Sequence, residues 1–457
     1  MTAQRATLIA NGRVIDGTGS APRLQSILVR GDSIASTGPA ADETAGTLKD
    51  LRRIDAQGLT VMPGLIDGHT HISFDEVNSN DELFFHRRHG LAAIIAARNA
   101  RKVLQAGVTG IMDADSLFEI GIDLRDAIEA DIVEGPRISS GAYALWTSVG
   151  GTAGRLIPDS GIRGYGMVVS GTEEIVAEVR RQIKNGADWI KVHVTGLVPR
   201  HPLRGEVKSW TLSELKLVCD TAHELGIPVL GHCRGANSII DCVRAGMDLI
   251  LHATLMDEAA LETVVNTKTP IMPVFTFQAN LMDYGAAVGA DPTVRKMFER
   301  EIIDSAAMLK RAYDAGVPLL CGSEAGFSIT PYGDWHYREL EVFVRYLGLT
   351  PLQAIQCATQ ANAFSLRLSG RVGVVAAGKL ADILVIDGDP SQDIKVLGDK
   401  ARIRHVFASG REVDLTPAQP RRDPPGWRVS SYGGRLTAAV ARGAAPLERD
   451  PTPTDEP

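Results

Sequence analysis

Hydrophobic and polar positions change rhythm twice along this chain. Through residue 63 they alternate in short pieces, ATLIANGRVIDGTG, QSILVRGDSIASTG and RRIDAQGLTVMPG, broken at Asn-Gly, Asp-Gly and Gly-Asp pairs. Period-two alternation with turn residues at each break predicts β-hairpins, so residues 1–63 are expected to form one part of a small β-domain. From Gly64 the apolar runs shorten and longer helical patterns separate them. LAAIIAARNARKVLQAG precedes VTGIMDAD, TEEIVAEVRRQIKNGA precedes DWIKVHVTG, TLSELKLVCDTAHELG precedes IPVLGHC, ANSIIDCVRAG precedes MDLILHA, and IIDSAAMLKRAYDAG precedes VPLLCGSEAG. Helix and strand taking turns over residues 64–369, with no Gly-rich phosphate loop after the first strand, predict an α/β domain. A parallel (β/α)8 TIM barrel fits that pattern better than an open doubly wound sheet. The β texture returns in GVVAAGKLADILVIDGD and ARIRHVFASGREV, so residues 370–415 are expected to pair with the first 63. Residues 416–457, rich in Pro, Arg, Gly and Asp, read as a tail with periodicity only near RLTAAVARG.

Composition narrows the function classes. The chain of 457 residues is 44% hydrophobic and carries a net charge of −7. That is ordinary globular material with no basic stripe to track phosphates, so nucleic acid is not an expected partner. No apolar run has the length to span a bilayer, and MTAQRATLIANGRVIDG lacks the layout of a secretory signal, which predicts a cytoplasmic protein that does not enter a membrane. Cys219, Cys233, Cys242, Cys321 and Cys357 are odd in number, lack C-x-x-C spacing and sit in apolar segments, as reduced packing residues do.

The chemistry gathers at strand ends. GLIDGHTHI places His69 and His71 two apart, so in a strand both imidazoles share a face and can hold one metal. Alone, the pair decides nothing. DWIKVHV puts Trp189, Lys191 and His193 on one face, IPVLGHC ends at His232, DLILHA ends at His252, and VPLLCGSEAG carries Glu324. A lone strand-end histidine is more often a packing residue, and a loop glutamate is usually solvated. Lys191 is harder to explain blandly. An unpaired lysine in a central strand is costly to bury, whereas at a metal site its neutral amine can act or be modified to carry negative charge. Catalytic groups of a barrel sit at the C-terminal ends of its strands, which is where all of these lie.

The stretches VMPGLIDGHTHI, ADWIKVHVTG, GHCRGA, ILHA, GVPLLCGSEAG and ATQANAFSLRLSGRVGVVAAGKLADILVIDGDP, in this order, resemble the amidohydrolase superfamily. Within it the chain is most similar to the imidazolonepropionase-like and Xaa-Pro dipeptidase-like branch. The resemblance runs from the N-terminal strands to about Val413 and implies a metal-dependent hydrolase with a distorted (β/α)8 barrel beside a β-sandwich. By that resemblance His69 and His71 bind the more buried ion, Lys191, carboxylated by carbon dioxide, bridges two ions, and His232 and His252 hold the second. The family ends its last barrel strand in Gly-Thr-Asp, the aspartate serving as ligand and general base. Here the residues are Gly322, Ser323 and Glu324, which keep the carboxylate on an arm one methylene longer.

Imidazoles and carboxylates suit Zn2+, with Co2+ or Mn2+ as alternatives, and two ions per chain are expected. Two ions roughly 3.5–4 Å apart lower the pKa of a bridging water and polarise a carbonyl. The expected reaction is attack of a metal-bound hydroxide on the C–N bond of an amide or peptide-like small molecule: an N-acyl amino acid, a dipeptide, a urea or a carbamate. Glu324 and His252 are the expected catalytic residues, Glu324 as proton carrier. His193 is expected to orient substrate, and Tyr143, Arg200, His201 and Arg204 lie on segments expected to form mouth loops. The protein is expected to form a homo-oligomer. Two other readings are a one-metal deaminase of the same superfamily, disfavoured by Lys191, and a catalytically inactive assembly protein, favoured only by the altered Glu324.

Overall fold

The computed structural model describes residues 6–77, 83, 88–151, 159, 162–196, 206–417, 419 and 436–443. Five N-terminal strands, β1 (Ala6–Val14), β2 (Arg23–Arg30), β3 (Ser33–Thr37), β4 (Leu51–Asp55) and β5 (Thr60–Pro63), form as the alternation predicts. The period of two is visible in the packing. Leu8 and Leu28 face the helix Pro39–Gly46, while their neighbours Ile9 and Ile27 join Val61, Ile383, Val385 and Phe407 on the other face. Those last three residues belong to the far end of the chain.

Ten more strands follow: β6 (Leu65–Thr70), β7 (Val108–Asp113), β8 (Arg137–Ser140), β9 (Ala144–Trp146), β10 (Ile162–Arg163), β11 (Gly166–Val168), β12 (Ile190–His193), β13 (Val229–Gly235), β14 (Leu249–Leu255) and β15 (Ile271–Met272). Then come β16 (Ile383–Ile386), β17 (Ile403–Ala408) and β18 (Arg411–Glu412). β16 lies antiparallel to β5, so strands from both chain ends share one 8-stranded sheet, in the order β18-β17-β16-β5-β1-β2-β3 with β4 on β1.

The middle of the chain is an α/β region of parallel strands, but its ladders do not form one closed sheet among the described residues. β6-β7-β8 make a 3-stranded sheet and β10-β11-β9-β12-β13-β14-β15 a 7-stranded one. Backbone hydrogen bonds outside the ladders span the gaps. Asp188 and Trp189 N–H donate to the Ser140 carbonyl at 2.9 and 3.2 Å, joining β8 to β12, and Leu320 N–H donates to Ile271 at 2.9 Å. On the other edge Gly68 N–H reaches the Cys321 carbonyl at 2.9 Å, tying residues 319–324 to β6. Continuous ladders fail here because β9 takes up part of the β12 edge and residues 319–324 pair only through isolated bridges. Side chains enclosed by these strands, Met112, Trp189, Leu230, Leu249, Leu251, Met272 and Leu320, pack together as one apolar layer.

Helices cover the outer faces, among them His89–Gln105, Gly171–Lys184, Leu212–Glu224 and Ala236–Ala245, close to the periodic segments. Thr211 and Glu214 form the capping box that starts the third of these. All five cysteines are free and buried. No described helix is long and apolar enough to cross a membrane. In the tail, Ala438–Ala441 is helical, and Leu436 is buried with its carbonyl accepting from Trp335 Nε1 at 2.9 Å.

Candidate active site

Four strand ends and one strand-like segment converge beside the apolar layer. β6 delivers His69 and, one residue past its last, His71; β12 delivers Lys191 and His193; β13 and β14 deliver His232 and His252. Glu324 comes from the segment beside β6. Gly322 makes that proximity feasible, because a Cβ there would stand 2.5 Å from the His69 Cβ. All of the histidines and Lys191 are buried.

Glu324 lies at the centre of the group. Its Oε2 is 2.7 Å from His71 Nε2 and 3.5 Å from His69 Nε2, and its Oε1 is 4.0 Å from His252 Nε2. His252 Nε2 is in turn 2.9 Å from His232 Nδ1. His193 stacks on His232 with ring centroids 4.9 Å apart and 2° between planes. Lys191 Nζ stands 3.8 Å from Asp115 Oδ2, and His193 Nε2 stands 2.7 Å from the same oxygen.

Asp115 is the residue that the sequence reading missed. It lies two past Asp113, the last residue of β7, so the D-A-D at the end of VTGIMDAD repeats the H-T-H pattern one strand over. That spacing was the available signal. His69, His71 and Asp115 each bring a ligand atom to within 4.8 Å of the others. His71 Nδ1 is 2.9 Å from both the carbonyl and Oδ1 of Asp115. Asp115 thus holds His71 Nδ1 through both its carbonyl and its carboxylate.

The donor set fits a cation. Buried polar atoms are normally satisfied, yet His69 Nδ1, His193 Nδ1 and His252 Nδ1 have no hydrogen-bond partner among the described residues. Backbone strain coincides with them. His252 and Glu324 hold left-handed φ of 70° and 55°, a conformation costing about 1–3 kcal/mol in a residue with a side chain.

Electrostatics follow from the packing. Burial opposes charge on His71, but Asp115 and Glu324 outweigh it and raise the imidazole to about 10. Burial also opposes charge on Glu324, and His69 and His71 hold it well below the usual carboxylate range. Desolvation lowers Lys191, with Asp115 working the other way, and brings His193 down to about 3.

Of the remaining expected residues, Tyr143 is not brought to this group. It is fully buried, with its hydroxyl 2.7 Å from Glu178 Oε1 on the helix Gly171–Lys184. Arg200, His201 and Arg204 lie outside the described residues. A separate surface cavity of about 920 Å³, lined among others by Leu104, Arg125, Arg137 and Arg371, contains none of the site residues.

Comparison with known proteins gives a consistent answer. The sequence model of the Amidohydrolase family matches residues 60–413. Ochratoxinase of Aspergillus niger is 27% identical over 432 residues, spanning 89% of this chain and 86% of that protein. Imidazolonepropionase of Micrococcus luteus is 24% identical over 442 residues, spanning 90% of this chain and 100% of the relative. Among solved structures, a Xaa-Pro dipeptidase with methionine bound in its active site superposes with a TM-score of 0.76 at 28% identity, covering 89% of this chain and 99% of the other.

Proposed function

Because the chain belongs to the amidohydrolase family, we propose that it is a metal-dependent hydrolase that cleaves the C–N bond of an amide or peptide-like small molecule, with two cations per chain. The observation that carries this reading is the convergence of imidazole and carboxylate atoms with buried valences left over. His69, His71, Asp115 and Glu324 would hold one cation, and His232 and His252 the other. Zinc suits such a donor set, and bound cations supply an acidified water and a polarised carbonyl.

The chain's own residues do the rest. Glu324, kept ionised by His69 and His71, is an acceptor for a proton that it can then pass to the leaving nitrogen. His193, with Nε2 tied to Asp115, keeps Nδ1 for orienting substrate. Desolvation of Lys191 favours the neutral amine that reacts with carbon dioxide, and a carboxylated Lys191 would bridge the two cations. The backbone hydrogen bonds that join the two parallel sheets outside their ladders support reading the middle region as a distorted (β/α)8 barrel. The sheet shared by both chain ends supports a small second domain beside it.

The test is direct. Elemental analysis of protein purified with metal present should give close to two ions per chain, and one or fewer would count against the two-cation reading. A panel of N-acyl amino acids, proline dipeptides, aryl ureas and carbamates, assayed with zinc, cobalt and manganese, should reveal turnover that a chelator abolishes.

A further inference from the structure

One carboxylate beside the site has no role in the reading above. Glu206 lies on the stretch after β12, outside any strand. Its Oε2 accepts from Thr195 Oγ1 at 2.7 Å, and its Oε1 lies 3.1 Å from Arg234 Nε. Arg234, two residues past His232 on β13, is itself anchored on Glu301 of the helix Pro292–Asp314. Glu206 is therefore held from two sides and cannot swing freely. Held this way, its Oε2 stands 3.5 Å from His232 Nε2, which is buried and lacks any closer polar partner among the described residues.

The direction of the protons follows from elementary inventory. An ionised carboxylate only accepts hydrogen bonds, so the proton of a neutral His232 belongs on Nε2, facing Glu206. Nδ1 then carries the lone pair. The 2.9 Å contact with His252 must run from His252 Nε2–H to His232 Nδ1, which leaves His252 Nδ1 as the bare nitrogen, in agreement with its lack of a partner. His71 has the same arrangement with its nitrogens exchanged: Nδ1 is committed to the Asp115 carbonyl and Nε2 faces Glu324. One imidazole in each half of the site thus has its rear nitrogen occupied by a fixed acceptor. Such partners set the tautomer and ring orientation of a ligand, and their loss typically costs about 10–100-fold in metal affinity.

We propose that Glu206 is a positioning residue that fixes the His232 tautomer with its Nδ1 lone pair turned toward His252, where the second cation is to bind. The inference rests on the two-cation reading, but the tautomer can be read without any metal. The bland alternative is that Glu206 merely neutralises Arg234.

Two measurements on the full chain decide between them. In metal-free protein with ¹⁵N-labelled histidine, the His232 signals, assigned by their absence in His232→Gln, should show a protonated Nε2 and a bare Nδ1. Glu206→Ala should erase that preference. In a zinc competition with a chromophoric chelator, Glu206→Ala and Glu206→Gln should weaken one of two ions by about 10–100-fold and leave the other unchanged, while the thermal midpoint of metal-free protein stays near wild type. A bare Nε2 in the wild type would overturn the proposal. So would unchanged affinity for both ions, or equal weakening of both together with a lowered midpoint, which is what a general structural role produces. Wild-type protein binding a single zinc would sink the two-cation reading, and the ¹⁵N signals would still decide whether Glu206 sets the tautomer.

Discussion

Two histidine–carboxylate clusters share β6, and they use the same residue types to opposite ends. In one, the rear cluster, Asp67 Oδ1 accepts N–H from His69 at 3.1 Å and from Ser323 at 3.0 Å, while Oδ2 takes His336 Nδ1 at 2.6 Å. His336 Nε2 accepts N–H from Gly333 at 3.0 Å, so both of its nitrogens are committed and the ring is a neutral Nδ1–H tautomer. In the other, the front cluster, His69 and His252 each keep a buried nitrogen without a partner, and the backbone at His252 and Glu324 is left-handed. A buried polar group left unmade costs about 1–3 kcal/mol. Proteins carry that cost where a ligand will remove it. Unused valence, more than residue type, separates a ligand histidine from a structural one.

The comparison predicts opposite losses from similar substitutions. His69→Ala or His71→Ala should remove both metal and activity while the thermal midpoint of metal-free protein stays within a few degrees of wild type. Retained activity in either variant would break the assignment of the front cluster. Glu324→Gln keeps the size and removes the proton acceptor, so turnover should fall by about 10²–10⁴-fold while His69, His71 and Asp115 still hold the cation. Near-normal turnover would give the proton to another group, such as His193. His336→Ala should behave the other way, losing about 1–3 kcal/mol of stability because the buried Asp67 carboxyl is left short of a donor, while the metal count is unchanged. Loss of metal without loss of stability would show that the rear cluster is not structural.

The same contrast explains what was legible in the sequence. His69, His71, Lys191, His193, His232, His252 and Glu324 were readable because strand ends aim side chains by a period of two, and sequence shows that period. Asp115 follows the same rule, and its D-A-D spacing is the only local signal for it, a weak one because acidic residues are common in this chain. Glu206 had no local signal at all, since its position depends on Thr195 and Arg234 from other segments. Tyr143 does not join the group: a tyrosine just past a strand end can turn to the mouth or into the wall, and here its hydroxyl meets the buried Glu178. The pairing of both chain ends was readable from texture. The break of the parallel strands into two sheets was not, because it depends on how β9 shares the β12 edge.

The smallest expected effect, measured per pH unit, comes from Glu339 behind the site. Its carboxylate oxygens lie 2.9 and 2.8 Å from the Phe275 N–H, and Oε2 also accepts from Thr276 Oγ1 at 3.1 Å, at the start of the helix Thr276–Tyr284. Burial is the largest influence on this group. The hydrogen bonds from Phe275 and Thr276 offset part of it, the charge of Asp67 adds to it, and the carboxyl is pushed up to about 8 against 4.5 for the free side chain. Below pH 4.5 the group is protonated in both folded and unfolded chains and contributes no slope. Between 4.5 and 8 the folded chain keeps a proton that the unfolded chain releases, so stability falls as pH rises, by at most about 1.4 kcal/mol per unit. Above about 8 the loss is complete. Glu339→Gln stays neutral throughout and keeps one oxygen to accept from Phe275. Unfolding free energies of metal-free protein from denaturant titrations between pH 5 and 9 should therefore show a wild type that loses stability relative to the Gln variant as pH rises to about 8, then runs parallel to it. Parallel curves across the whole range would mean that Glu339 is already ionised when folded and that the rear cluster carries more buried charge than its satisfied hydrogen bonds imply.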